Sequence, residues 1–347
     1  SQTLISGNLS RRVYSNYEGV NQIEVSDNFV AGNYGITITQ DARQAIVVGN
    51  GAVTMSDTAT VTKEQAGTIS MNGYGIEISE GDTLAGIMGK LVDGADKIGG
   101  RVFAITAGAT NDTKVNGTDY AGYEPQTSYA GNNIVFMTKE SGSSKTMNIT
   151  CSNAELANML GIATAATNSG MYAEGSDVQA EFTLDNDGKR VGFADSAVIS
   201  TSGTRVTVKD VNNRTFVTDV PSNVAGTQFS DTAKADDKST ATSTQTAKVT
   251  QEVTDVGTMS VHVGANENQV ILIDIPAVTS YTLGTENLNV MTSVTASEAI
   301  DTIDTAVAYA NRVRSQMGAY ENRFEHTTNN LGTASENLTS AISTMTD

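Results

Sequence analysis

The stretch IDTIDTAVAYANRVRSQMGAYENRFEHTTNNLGTASENLTSAIS, residues 300–343, has the seven-residue periodicity of a long helix that packs against another helix. The positions at this spacing are all apolar: Ile303, Ala310, Met317, Phe324, Leu331, Leu338 and Met345. The positions three residues after them are mostly small or apolar: Ala306, Val313, Tyr320, Thr327, Ala334 and Ala341. Such an unbroken repeat is typical of a coiled coil. Ser297 is the predicted N-cap, because Glu298 and Asp301 follow it where the helix dipole favours acids.

This predicted helix needs a partner. Its apolar seam is about 65 Å long at 1.5 Å per residue, and a helix with one narrow apolar stripe is not stable alone in water. A core helix of one globular domain is the alternative, but a small β-domain is not deep enough to cover that length. The rest of the sequence contains no second helical pattern of comparable length. We therefore expect the partner helix to come from another segment or from neighbouring copies.

Most of the chain before residue 256 has the alternating pattern of β-strands. YGITITQ (34–40) and QAIVVGNG (44–51) are separated by a turn-like DAR, which predicts a hairpin. GTISMNGYGIEISEGDT (67–83) predicts a second hairpin with its turn at Asn72-Gly73. Apolar residues at helical spacing then predict a helix from Leu84, with Asp82 as its N-cap. The fold class is therefore α+β, with a large, mainly β part before one long C-terminal helix.

Charge limits the classes of partner. The chain has 21 Lys and Arg against 39 Asp and Glu, a net charge of −18, which argues against nucleic acid or an anionic membrane. No apolar run approaches the roughly 20 residues of a membrane span. The first residues contain no basic segment followed by an apolar run, so no secretory signal is expected.

Catalytic and metal-binding patterns are not found in the sequence. Cys151 is the single cysteine, which excludes an internal disulfide, and His262 and His326 are isolated from other ligand types. DNDG (185–188) lacks the later ligands of a calcium loop and is better explained as a hairpin turn. We therefore predict a protein that is not an enzyme and has no cofactor.

Four stretches resemble bacterial flagellins. Residues 300–343 are similar to the C-terminal helix of the rod-like flagellin core domain, and VGANENQVILIDIP (263–276) resembles the β-hairpin of that domain. SQTLISG (1–7) resembles the loop after the long N-terminal core helix. ISMNGYGIEISEGDTLAGIMGKL (69–91) resembles an insertion motif of outer flagellin domains.

The resemblance implies a division of the chain. The core rod would carry an outer insertion of two or three small, mainly β domains. The predicted segments are 1–9 and 256–347 for the core domain with its hairpin and coiled-coil helix, 10–65 and 163–230 for β-rich outer parts, 66–162 for a ββα module, and 231–255 for a low-complexity linker or edge.

The same resemblance implies a function and partners. It implies a self-assembling structural subunit of the extracellular flagellar filament, exported by the flagellar type III apparatus and sensed by a Toll-like receptor. Family members have N-terminal helices before the pattern seen here and a further end helix after it. We therefore expect a fragment, whose seam would bind the absent N-terminal core helix and which would signal poorly by itself.

Polar residues on the other faces of the helix are candidates for contacts with other subunits or with the receptor: Arg312, Arg314, Glu321, Asn322, Arg323 and Glu325. For each of them a solvated surface position is an equally good explanation. Two other functions stay open. A hook–filament junction protein shares the coiled-coil ends, and a surface adhesin would explain residues 10–255 but leave the seam without a purpose.

Overall fold

The computed structural model describes residues 12–26, 29–106, 128–162, 171–211, 214–225, 228–230, 237–238, 240–243, 246–254, 259–264 and 269–346. The predicted loop at 1–9 lies outside these ranges, as do residues 231–236, 239, 244–245 and 255 of the predicted linker. The α+β class is confirmed, because several antiparallel sheets precede one long helix.

The strands before the hairpin region are β1 Arg12–Ser15, β2 Asn21–Val25, β3 Gly32–Gln40, β4 Gln44–Val48, β5 Gly67–Met71, β6 Tyr74–Ile78, β7 Gly100–Thr106, β8 Asn132–Ser141, β9 Thr146–Cys151, β10 Met171–Glu174, β11 Gln179–Phe182, β12 Val198–Ser202, β13 Arg205–Lys209, β14 Thr215–Asp219, β15 Gln228–Ser230, β16 Asp237–Lys238, β17 Thr240–Ser243 and β18 Ala247–Thr254. Two helices lie among them, α1 Leu84–Lys97 and α2 Ala154–Met159.

One hydrophobic core joins the two ends of this β-rich part, and we call it the first β-unit. Its two four-stranded sheets have the orders β1-β18-β3-β11 and β12-β13-β14-β2. At its centre four aromatic rings pack edge to face or tilted: Phe29, Tyr34, Phe193 and Phe216. The core draws its residues from Val20–Ala42 and Val178–Val253.

A separate core, the second β-unit, lies between these two segments of the chain. It consists of the sheet β16-β10-β9-β5-β6, the sheet β4-β8-β7 and helix α1. The buried face of α1 places Leu84, Ile87, Met88 and Leu91 in this core, as the helical spacing predicts. Its core residues within the described ranges lie between Ala45 and Ala173.

The predicted hairpin of residues 34–51 is wrong. β3 pairs with β18 and β11, whereas β4 pairs with β8, so the two strands belong to different units. The chain passes from the first β-unit to the second at the turn-like DAR between these strands. There Arg43 is almost completely buried and forms an isolated β-bridge with Ser176, where the chain returns to the first β-unit. The alternation of apolar and polar residues identified both strands, but it contains no information about the distant strands with which they pair.

The hairpin at 67–78 is confirmed, and the N-cap after it is off by one residue. β5 pairs with β6 around Asn72 and Gly73, which have φ angles of 49° and 86°. The N-cap of α1 is Thr83, whose hydroxyl accepts from the amide of Gly86 at 3.2 Å. The Asp82 carboxylate instead accepts from the Ser79 amide at 2.8 Å and pairs with a lysine of α1.

The last elements form what we call the rod region, residues 259–346. Strands β19 Met259–His262 and β20 Val270–Ile273 pair as a hairpin, followed by α3 Ser280–Leu283 and α4 Ser293–Thr346. Helix α4 begins before the predicted cap at Ser297, because Thr292 and Thr295 cap it. The Thr295 amide donates to the Thr292 hydroxyl at 3.2 Å, and the Thr292 amide donates to the Thr295 hydroxyl at 3.0 Å.

Candidate assembly interface

Helix α4 divides into a packed half and an uncovered half. It has 54 residues, which corresponds to about 80 Å. Buried positions of the helix occur only up to Tyr320. From Glu325 to Met345 every side chain except Thr327, which is half-buried, is exposed. Roughly 30 Å of helix therefore extends beyond the cover that the described residues provide.

The packed face follows a spacing of three and four residues along the helix. Its buried apolar members are Ala299, Ala306, Tyr309, Val313 and Tyr320. This face contacts the hairpin, where Ile271, Ile273 and Ile275 form a small core with Tyr320. Up to Tyr320, the positions three residues after the predicted seam are therefore buried by the chain itself.

Polar contacts fix the helix on the segment that follows the hairpin. The amide of Asp274 donates to the Tyr320 hydroxyl at 3.1 Å, and the Gln316 side chain donates to the Asp274 carbonyl at 2.8 Å. The Tyr309 hydroxyl donates to the Ala277 carbonyl at 2.8 Å. Buried backbone groups need such partners, so these side chains set the register of α4 on the hairpin.

The predicted seam residues lie on the side of α4 next to this packed face. Ile303, Leu331 and Leu338 are 45%, 44% and 64% exposed, and Ala310 is exposed as well. Met317 and Phe324 are half-buried and pack on the hairpin core. Apart from Met317 and Phe324, the seam is therefore an apolar stripe that the described residues leave uncovered, and its role in binding a partner helix stays a prediction.

A shallow apolar groove lies where the seam meets the hairpin. Its walls are formed by Met259, Ile273, Ile275, Arg314, Met317, Gly318, Tyr320, Glu321 and Phe324. Gly318 is in the middle of α4, where glycine lowers helix stability, and open space surrounds the position that a Cβ would occupy. A helical glycine beside an apolar groove leaves room for another backbone to approach closely.

The predicted contact residues are exposed on α4: Arg312, Arg314, Glu321, Asn322, Arg323 and Glu325. Arg314 and Glu321 form charged edges of the groove. Arg312 lies 3.3 Å from the carboxylate of Glu24 and so contacts the first β-unit. Sequence reasoning missed this contact, because nothing in the pattern of β2 indicates a partner near the end of the chain.

Further side chains join the rod region to the β-units. The Arg205 guanidinium donates to the carbonyls of Tyr281 at 2.6 Å and Thr282 at 3.2 Å. The Tyr281 hydroxyl donates to Asp219 at 2.6 Å. Burial, followed by this hydrogen bond, raises the pKa of Tyr281 to about 12.

The second β-unit contacts the beginning of α4. Lys145 donates to Glu140 and Glu298, each at 2.9 Å, and the Asn289 side chain donates to the Lys97 carbonyl. Burial alone would lower the pKa of Lys145, but the hydrogen bonds to the two carboxylates raise it. The rod region is thus attached to both β-units by polar side chains.

The described residues contain no group of His, Cys, Asp and Glu that could hold a metal ion. Burial raises the pKa of Cys151, and its thiol donates to the Asn153 carbonyl at 3.2 Å. Asp185 accepts from the amides of Asp187 and Lys189 at 2.9 and 2.8 Å, which closes the predicted turn. Among the helices in the described ranges, none has the length and apolar character needed to cross a bilayer.

Comparison with known proteins points to the rod region. Residues 300–347 match the family model of the bacterial flagellin C-terminal helical region. The putative flagellin YvzB of Bacillus subtilis is 40% identical over 87 residues, which cover 24% of this chain and 54% of that protein. A flagellin of Clostridium tyrobutyricum is 39% identical over 107 residues, covering 29% of this chain and 28% of that flagellin.

The relatives are longer than the matched part. The chain spans about half the length of the first relative and 28% of the second.

Among solved structures, the D2-D3 domains of the flagellar cap protein FliD from Escherichia coli align with a TM-score of 0.33 and 14% identity. That alignment covers 71% of this chain and 100% of the cap-protein fragment.

Proposed function

We propose that this chain is a structural subunit of the flagellar filament, because residues 300–347 match the flagellin C-terminal helical region and the relatives matched over that part are flagellins. The family is structural and not enzymatic, and its members assemble with other flagellar subunits in the extracellular filament. In the proposed role, α4 packs against helices of the assembly and the two β-units face outward.

The uncovered half of α4 carries this proposal. An isolated helix of this length with a weak apolar stripe is not stable in water, so another surface must cover it in the functional state. The stripe continues without interruption from Ile303 to Leu338, past the last contact with the hairpin. This continuity supports packing against a helix of similar length, as in an assembled rod.

We assign the groove at Gly318 and the exposed seam to the N-terminal core helix of the family. The apolar floor would accept the apolar stripe of that helix, and the charged edges at Arg314 and Glu321 would set its register. Asn322, Arg323 and Glu325 would then be available to neighbouring subunits. Export through the flagellar type III apparatus and recognition by a Toll-like receptor belong to the same proposal.

Immunogold electron microscopy of intact source cells tests the function, with an antibody raised against residues 10–255. We expect gold along the whole filament, because the β-units face outward in the proposed subunit. Gold confined to the hook end would replace the proposal with a junction protein. Diffuse gold over the cell body would replace it with an adhesin.

A further inference from the structure

A buried carboxylate joins the first β-unit to α4. Glu24 lies in β2 and is only 7% exposed, and its Oε1 is 3.3 Å from Nε of Arg312. The Arg312 guanidinium also lies over the ring of Tyr309, 5.6 Å from its centroid. The pair is therefore a direct contact between a sheet of the outer part and the long helix.

The two partners of this pair have different surroundings. The second oxygen of Glu24, Oε2, is buried and has no hydrogen-bond partner within the described parts of the chain. The side chain of Arg312 is 41% exposed, so water can hydrate it. We call the arrangement in which the first β-unit packs on α4 the docked state. An ionised carboxylate with an unsatisfied buried oxygen raises the free energy of this state, whereas the hydrated arginine can lose its partner at little cost.

Among the described residues, three titratable or charged groups face Glu24. They are Arg312 and Tyr309 from α4 and Lys209 from β13. Burial raises the pKa of Glu24 and outweighs the lowering by Arg312 and Lys209. The Tyr309 hydroxyl already donates to the Ala277 carbonyl, and burial followed by the nearby Glu24 carboxylate raises the pKa of Tyr309. The phenol therefore stays neutral when Glu24 changes its charge.

We propose that Glu24 is a proton-controlled latch, which holds the first β-unit on α4 more firmly when it is protonated and less firmly when it is ionised. The proton comes from solvent, and no other reactant is needed. The latch follows from this junction alone and does not depend on the role in a filament. It would make the orientation of the first β-unit on α4 responsive to pH.

The direction of the effect follows from linkage. The docked state binds the proton more tightly than an undocked state in which Glu24 is hydrated. Docking therefore strengthens as the pH falls from neutral towards the ordinary glutamate pKa of about 4.3. Below about pH 4.3 Glu24 is protonated in both states, so docking does not strengthen further. Each unit by which the two pKa values differ changes the docking equilibrium by a factor of about ten.

The test uses the full chain with Cys151→Ser and spin labels on S200C and S315C, which replace exposed residues of β12 and α4. Double electron–electron resonance gives the docked and undocked populations between about pH 7.5 and pH 5, a range above the ordinary glutamate pKa. We expect the ratio of docked to undocked populations to increase several-fold at the lower pH. Unchanged populations over this range would overturn the latch.

Three variants assign the response to Glu24. Glu24→Gln mimics the neutral acid, so it should be docked equally at both pH values. Arg312→Gln removes a cation that lowers the pKa of Glu24, so the transition should move to higher pH. Glu298→Gln is the matched control at the contact with Lys145 and should keep the wild-type response. A pH response that persists in Glu24→Gln, or an Arg312→Gln transition at the wild-type pH, would overturn the proposal.

Discussion

The hydroxyl of Tyr320 accepts a hydrogen bond from the amide of Asp274 at 3.1 Å, and this bond connects the middle of α4 to the end of the hairpin. Tyr320 is 5% exposed and its ring packs on the isoleucines of β20. The same side chain thus combines apolar packing with a polar contact that fixes the register of the helix.

Tyr320→Phe should lower the free energy of unfolding by about 1–3 kcal/mol, because the buried amide of Asp274 loses this acceptor while the ring packing remains. Chemical denaturation of the full chain, monitored by circular dichroism, measures the change. Tyr14→Phe is the matched control, because Tyr14 is 54% exposed on β1. Equal stability of Tyr320→Phe and wild type would show that the hydrogen bond contributes nothing to docking of the helix.

Particular residues show how far the sequence could predict this molecule. The spacing from Ile303 to Met345 indicated the long helix, and Asn72-Gly73 indicated a hairpin, because both signals are local. The partner of β3 is β18, where Ile38 faces Ala247 across the sheet. Such pairing at long sequence separation depends on the whole fold, as does the contact of Glu24 with Arg312, so neither could be predicted from local patterns.

The candidate interface was predicted only in part. The heptad pattern identified one continuous stripe, but it could not distinguish positions that the hairpin buries, such as Tyr320, from positions that remain uncovered, such as Leu338. Both carry apolar residues at similar spacing. The difference arises because the hairpin ends near Phe324 while the helix continues.

Gly318→Ala should separate stability from assembly. In the isolated chain the new methyl group enters open space and the helix gains about 1 kcal/mol of stability. If a partner backbone packs closely at this position, the same methyl group should impair filament formation in cells that depend on the variant. Thermal unfolding and electron microscopy of the filaments measure the two effects.

Gly89→Ala is the control for this experiment. Gly89 is an exposed glycine inside α1 and also has open space where a Cβ would lie. It should show the same gain in stability with normal filaments. Normal filaments from Gly318→Ala would contradict a close helix contact at the groove.

Tyr281 should make the junction of α3 with β14 sensitive to alkali. Its pKa is raised to about 12 in the folded chain, so its contribution to stability is complete below the ordinary tyrosine pKa of about 10 and is lost as the pH rises towards about 12. Denaturation curves of wild type and Tyr281→Phe at increasing pH measure this loss. The stability difference between the two proteins should change over that interval. A constant difference for Tyr281→Phe would remove the assigned role of its bond to Asp219.

The double variant Leu331→Ala/Leu338→Ala tests the uncovered half of α4. Both side chains are largely exposed, so the unfolding free energy of the isolated chain should change by no more than about 0.5 kcal/mol. If another helix covers these residues in the assembly, the double variant should form few or short filaments while its export is normal. Electron microscopy and the amount of secreted subunit measure the two outcomes.

Ile271→Ala is the control, because it should destabilise the isolated chain whereas the double leucine variant should not. Ile271 is buried in the core between the hairpin and α4, so its truncation should cost about 2–5 kcal/mol in the isolated chain. Loss of filaments in that variant would follow from instability, whereas loss in the double leucine variant would follow from a missing contact. Filaments of normal length from the double leucine variant would mean that Leu331 and Leu338 remain in water after assembly, and the partner helix would then have to be sought on another face of α4.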